Sequence, residues 1–289
     1  MEWITGLQKA IDYIEEHLTE KLDYEEIARQ GFSSSWHFQR VFSILCGCTM
    51  GEYIRCRRLT LAGIELLATE TKIIDIALKY GYENPDSFTK AFTKFHGITP
   101  SAARDSGQSL RSFSRLSLRI TMEGGNVMDY RVEKRENIRL VGFGKHFTGD
   151  RSERFGQEEA FWMETREKQE YLKSIRSGEE NVWYDVITDI TEEGHTHWIA
   201  VASAADPKEG FEALELKQAT CVVCETNHVK HPTCLLEELR RKIVSEWLPS
   251  SGYQLSAQPE VSVSHWFMKP EERQKRYIEL WLPIEKEAE

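Results

Sequence analysis

The sequence predicts a multidomain protein: an all-α N-terminal domain of two helix-turn-helix units, then an α+β C-terminal domain of two pseudo-repeated βαββ units. Three observations lead there. At 289 residues the chain exceeds what one hydrophobic core comfortably serves. Two helical segments, 34–45 and 86–95, each follow a short helix and a turn, and each carries polar and cationic residues on one face. Beyond Met128, a strand, a helix and two strands occur twice in succession.

The elements follow in order. Ile4, Leu7, Ile11, Ile14 and Leu18 give 3–18 a helical stripe, and 24–30 forms a second helix ending near Gly31. In 34–45, Phe38, Val41, Phe42 and Leu45 fall at i, i+3, i+4 and i+7, so that face is expected inward and Trp36, Gln39, Arg40 and Ser43 outward. Thr49 suits the N-cap of a helix running to 68, with Tyr53, Ile54, Leu61 and Ile64 inward and Arg55, Arg57 and Arg58 near its start. That helix is roughly 28 Å long, close to the ~34 Å between successive major-groove turns, and it makes a suitable spacer. The second unit repeats the plan with a helix over 73–80, a turn over 81–84 and Pro85 where the next helix begins. Phe88, Ala91, Phe92 and Phe95 supply its core stripe, while Ser87, Lys90 and Lys94 face outward with Asp86 and Thr89 beside them. The first domain is thus assigned to 1–106.

The Ser-, Gly- and Arg-rich stretch 107–127 reads as a linker, with a short strand at 116–122. In the second domain, 128–289, the first repeat is a strand over 138–147, a helix over 157–175 and strands over 182–187 and 197–203. The second is a strand over 219–226, a helix over 234–247 and strands over 261–268 and 277–284. Two such units pair about a pseudo-twofold axis and leave a groove between them, the natural pocket.

The net charge of −10 is unevenly divided. Residues 29–104 hold 10 basic and 6 acidic side chains, whereas 1–28 hold 2 and 8, and 128–289 hold 22 and 31. Positive charge sits where the paired helices lie, and an adjacent glutamine and arginine on an exposed helix suit base edges and phosphates of duplex DNA. The acidic second half is expected to repel phosphate and favour cationic or neutral molecules. No apolar run approaches the roughly 18 residues of a membrane span and no basic-then-apolar leader opens the chain, so a cytoplasmic protein without membrane contact is expected. Cys221, Cys224, His228, His231 and Cys234 loosely mimic a zinc site, but Cys221 and Cys224 stand three apart in a β-branched run, on opposite faces of a strand. Buried thiols are the better reading, and neither metal nor cofactor is expected.

The run 31–42, GFSSSWHFQRVF, followed by GEYIRCRRL at 51–59, resembles the DNA-binding domain of the AraC/XylS family of transcription regulators, in its Rob-like branch. IALKYGY at 76–82, FTKAF at 88–92 and GITPS at 97–101 are similar to the second helix-turn-helix of that family. The resemblance covers about residues 3–105. It implies DNA contact by Trp36, Gln39 and Arg40; position on the outward faces adds Ser35, Arg55, Asp86, Ser87, Thr89 and Lys90 to the candidate DNA-binding set. Pro85 and Asp86 depart from it, standing where such relatives carry glutamines. From about 128 to 286 the chain resembles the GyrI-like effector-binding domain, chiefly through WLPSSGY at 247–253 and ELWLPI at 279–284. That likeness implies a glutamate, here Glu279, lying in an aromatic groove that meets cationic ligands in multidrug-sensing members.

Alternation on the last strand places Tyr277, Glu279 and Trp281 on one face, a carboxylate between two aromatics that a π-stacking cation could neutralise. Tyr184, Trp183, Phe147 and Trp162 complete the candidate ligand set. The expected protein is a sequence-specific transcription regulator, partnered by promoter DNA, a small aromatic or cationic effector and RNA polymerase. Two alternatives are a second domain that hydrolyses reactive small molecules with Glu279 as general base, and one that only recruits a partner.

Overall fold

A computed structural model describes residues 2–31, 34–105, 108–117, 128–148, 151–191 and 194–286, with side chains from 5 onward in the helix that opens at 2 and from 157 onward in the helix that opens at 151. The chain separates into two compact units, Met1–Met122 and Glu123–Glu289.

Unit 1 is all helical: α1 (Glu2–Glu16), α2 (Tyr24–Gln30), α3 (Ser35–Cys46), α4 (Met50–Ala68), α5 (Ile73–Lys79), α6 (Pro85–His96) and the single turn α7 (Pro100–Ala103). Capping chemistry sets the boundaries. Ser34 accepts from the His37 N–H, Thr49 and Glu52 form a reciprocal capping box, and Asn84 accepts from the Asp86 N–H ahead of Pro85. Gly47 and Gly97 end α3 and α6 in the left-handed conformation, φ 74° and 82°, where a Cβ would strain the chain. The long helix α4 serves two cores. Met50, Tyr53 and Ile54 join Phe38 and Phe42 of α3, and Leu59, Ala62 and Leu66 join Phe88 and Phe92 of α6. Ile64, expected inward, is 56% exposed, because the 19-residue helix turns that position away from both cores.

The expected linker is partly a strap. Leu110 packs on the second core, and Phe113 and Leu116 on the first. The Phe113 N–H donates to Thr60 Oγ1, the Leu116 N–H to the Tyr53 hydroxyl, and Arg57 Nη1 to the Phe113 carbonyl. Residues 116 and 117 form no strand, and the rest of that predicted strand lies outside the described residues.

Unit 2 holds one antiparallel sheet in the order β1-β6-β9-β8-β3-β4-β2-β5, with β7 on β9. The strands are β1 (Arg131–Arg135), β2 (Ile138–Thr148), β3 (Val182–Thr188), β4 (Gly194–Ala202), β5 (Glu212–Leu216), β6 (Ala219–Glu225), β7 (Tyr253–Leu255), β8 (Glu260–His265) and β9 (Tyr277–Lys286). Reversing the order exchanges β1 with β5, β6 with β2, β9 with β4 and β8 with β3, so the two repeats meet at the β3–β8 pair about a pseudo-twofold. Each leading strand crosses over: β1 pairs with β6 of the second repeat and β5 with β2 of the first. The predicted helix 157–175 is two, α8 (Arg151–Glu164) and α9 (Arg166–Ile175), broken at Thr165, whose hydroxyl donates to the Phe161 carbonyl. The helix of the second repeat is α10 (Leu236–Lys242), which continues through a π-helical turn at Ile243–Trp247 into α11 (Leu248–Ser251).

The two sheet faces differ. Val141, Phe143, Phe147, Ile199 and Val201 pack with Phe161 and Leu172 of α8 and α9. Leu140, Val186, Ala200, Val223, Val263 and Trp281 form a separate cluster on the opposite face, where the cleft opens. Gly144 lies under the Trp198 ring there. A Cβ at that position would come within 2.8 Å of the indole.

Candidate DNA-reading helices and effector cleft

On α3, Ser35, Trp36 and Gln39 are half-buried, and Gln39 Nε2 donates to Ser35 Oγ at 3.1 Å, so its amide is held at the helix surface. Arg40 departs from the expected outward face. It is 7% exposed and its guanidinium lies 5.4 Å from the centre of the Trp36 ring. One turn separates the two residues, so the cation is desolvated against the π-face and braces the indole. Arg55 on α4 is exposed. Arg57 and Arg58 are not: Arg57 grips Glu15 through two hydrogen bonds, and Arg58 donates to the carbonyls of Leu18 and Glu20. Both hold α4 to the end of α1 and its following loop. On α6, Asp86, Ser87 and Lys90 are exposed and Thr89 is half-buried.

In unit 2 the cleft has a volume of about 330 Å³, and its lining includes Tyr184, Trp281, Glu279, Arg135, Arg176 and His265. The first three of these were expected. Tyr184 meets Trp281 edge to face with ring centres 6.1 Å apart. Phe147, Trp183 and Trp162 belong to the other face and do not line the cleft. Phe147 and Trp183 are buried in the helix-covered core, and Trp162 packs there with Nε1 donating to Asp185 at 2.9 Å. Alternation explains it, since Trp183 and Tyr184 are neighbours on β3 and must point oppositely.

Glu279 is not the bare carboxylate the sequence suggested. It is 16% exposed, and Oε1 receives Arg131 Nη2 at 3.2 Å. Oε2 receives the Trp281 indole N–H at 2.9 Å, and Arg135 Nη2 stands 3.7 Å from it. Arg135 also stacks on Trp281 at 4.1 Å, while Arg131 is shared with Glu133 and Glu225. These arginines come from β1, whose cross-repeat pairing with β6 sets them beside β9. Sequence reading missed them because RVEKR shows no apolar alternation; the charge alternation of Arg131, Glu133 and Arg135 was the available signal. At one end of the cleft the Tyr277 ring is sandwiched between His265 and His228, 4.1 and 4.5 Å away and nearly parallel. Burial holds His265 below the ordinary imidazole value and pushes Tyr184 and Tyr277 up, so all three are neutral near pH 7.

Outside the cleft, Cys221 and Cys224 point to opposite faces of β6, and burial pushes both thiols to about 11. Behind the sheet, His197 Nε2 lies 2.9 Å from Asp185 Oδ1, with Glu158 4.0 Å from its other nitrogen and 2.9 Å from His195. Burial opposes charge on His197, but the Asp185 hydrogen bond and both carboxylates outweigh it and raise its pKa.

Two helix-turn-helix units followed by a cleft-bearing sheet domain define a DNA-binding transcription regulator with an effector-binding module. The helix-turn-helix domain family matches residues 27–106, and the integron-associated effector binding protein family matches residues 131–284. The chain belongs to the AraC-type helix-turn-helix transcription regulators that carry such an effector-binding domain. It is 42% identical over 98 residues to the transcriptional activator AarP of Providencia stuartii, spanning 34% of this chain and 73% of that protein. It is 40% identical over 98 residues to the regulatory protein SoxS of Salmonella typhimurium, spanning 34% of this chain and 92% of that one. The regulator YbfP of Bacillus subtilis is 40% identical over 104 residues, 36% of this chain but only 35% of its own length. Among the described residues no helix is long and apolar enough to cross a membrane.

Proposed function

We propose that α3 and α6 read successive major grooves of a promoter site, and that effector occupancy of the unit 2 cleft shifts the population competent for DNA. The observation that carries this is the matched pair of readers. Both helices are 12 residues long, side-chain capped, ended by a left-handed glycine, and packed by their apolar stripes into separate cores that share α4. Trp36, Gln39 and Ser35 supply base and phosphate contacts on α3, and Arg40 acts through Trp36. Asp86, Ser87, Thr89 and Lys90 do the same on α6. Arg55 at the exposed start of α4 meets phosphate. Asp86 suits a cytosine amino group and disfavours a phosphate in its place. The coupling cannot exceed the effector's difference in affinity for the two states. RNA polymerase is the partner through which promoter occupancy becomes output.

Fluorescence anisotropy on a duplex selected from random sequence tests the reading. Gln39→Ala should cost about 1–3 kcal/mol on the selected duplex and little on an unrelated one, and Lys90→Ala should lower the salt slope by about one. Unchanged affinity and slope in both variants would remove these helices from the interface.

A further inference from the structure

The cleft's polar groups are lopsided in a way that specifies its ligand. Both oxygens of Glu279 already have donors, Oε1 in Arg131 and Oε2 in the Trp281 indole, and the Arg135 cation stands 3.7 Å away. Among the described lining residues, three buried side-chain nitrogens lack a hydrogen-bond partner: Arg135 Nε, Arg176 Nη1 and His265 Nε2. No buried side-chain oxygen of the lining is in that condition. Guanidinium nitrogens can only donate, and a desolvated donor without an acceptor is costly until one arrives. The second lining carboxylate, Glu179, is exposed, where water screens it. Tyr184 and Trp281 supply aromatic walls, and a volume of about 330 Å³ accommodates a ligand of two or three fused rings.

Resting on the assignment of this cleft as the effector site, we propose that its effector is a planar aromatic carboxylate. Its rings lie against the wall formed by Tyr184 and Trp281, and its carboxylate is met by Arg176 and Arg135. A lipophilic cation is disfavoured, because Glu279 is already neutralised and the cation would face Arg135 and Arg176 on the cleft wall.

Calorimetric titration of the full chain with naphthoate, the neutral isostere naphthalenemethanol and tetraphenylphosphonium tests this. Naphthoate should bind at least about tenfold tighter than the alcohol, since a charge-assisted hydrogen bond contributes on that scale. Arg176→Gln should erase that preference and leave alcohol affinity within about twofold, the expected result when only the donor is lost. The double variant Arg131→Gln, Arg135→Gln frees Glu279 and should invert the order in favour of the phosphonium. Tighter binding of the phosphonium by the natural sequence, weakened by Tyr184→Ala, would overturn the ligand class and leave the cleft assignment standing. Naphthoate binding indifferent to both Arg176→Gln and Tyr184→Ala, or no saturable binding of any probe, would overturn the cleft assignment with it.

Discussion

Replacing Arg57 with methionine should destabilise unit 1 without touching a DNA-facing surface. Its guanidinium makes two hydrogen bonds to Glu15, at 2.8 and 2.9 Å, and a third to the Phe113 carbonyl at 2.6 Å, while Tyr53 donates to the same carboxylate at 2.6 Å. The pair is nearly buried, with side chains 12% and 8% exposed. Removing one partner strands the other charge, which typically costs about 3–5 kcal/mol. In a unit spanning Met1–Met122 each kcal/mol moves the midpoint by about 4 °C, so the helical far-ultraviolet transition should fall by roughly 12 °C or more. The pH dependence has a definite sign. Burial raises the Glu15 pKa, but the Arg57 and Tyr53 hydrogen bonds together outweigh it and hold the carboxyl below its ordinary 4.5. A depressed acid stabilises above its unfolded pKa and loses that contribution as pH falls through the folded one, so the gap between natural and variant chains should close in acid. Arg55→Ala, two residues away in sequence, should leave the midpoint unchanged and weaken DNA binding. A methionine variant melting within about 1 °C of the natural chain would show that the pair behaves as a solvent-screened surface contact and refute the reasoning.

Phe113→Ala should destabilise the full chain by about 1–3 kcal/mol, less than the roughly 3–5 of a fully buried phenylalanine because Phe113 is half-buried, with its ring centre 6.0 Å from that of Tyr53; an unchanged midpoint would return 108–117 to linker. His197 should make unit 2 more stable at mildly acid than at alkaline pH. Its folded pKa is raised, so its contribution is fully present below the ordinary imidazole value of 6.5 and is lost as pH rises through the folded value. His197→Gln should flatten that slope in denaturant titrations, and an equal slope in both chains would place the cause elsewhere.

Unit 1 was legible because its helices carry their instructions locally: stripes at i, i+3 and i+4, oxygen-bearing caps at Ser34, Thr49 and Asn84, and glycines at 47 and 97. Thr49 to Ala68 was read to the residue. What escaped depended on partners distant in sequence. Arg57 and Arg58 look like solvated cations until Glu15 and the Leu18 carbonyl are brought beside them, and the strap at 108–117 has a linker's composition. In unit 2 the repeats and the shared face of Glu279 and Trp281 were legible from alternation. The phase of β3 relative to β9 was not, so Trp183 was grouped with Tyr184 although they face opposite ways. β5, EALEL, is made of good helix formers and becomes a strand only by pairing with β2. The arginines that meet Glu279 were hidden for the same reason, since β1 acquires meaning only through β6.

Footprinting of the full chain on a selected duplex tests the central claim most directly. Two readers set on one α4 should protect two major-groove segments on one face of the helix, about ten base pairs apart, and Lys90→Ala should weaken one of the two. Protection confined to a single groove, unaltered by Lys90→Ala, would contradict it.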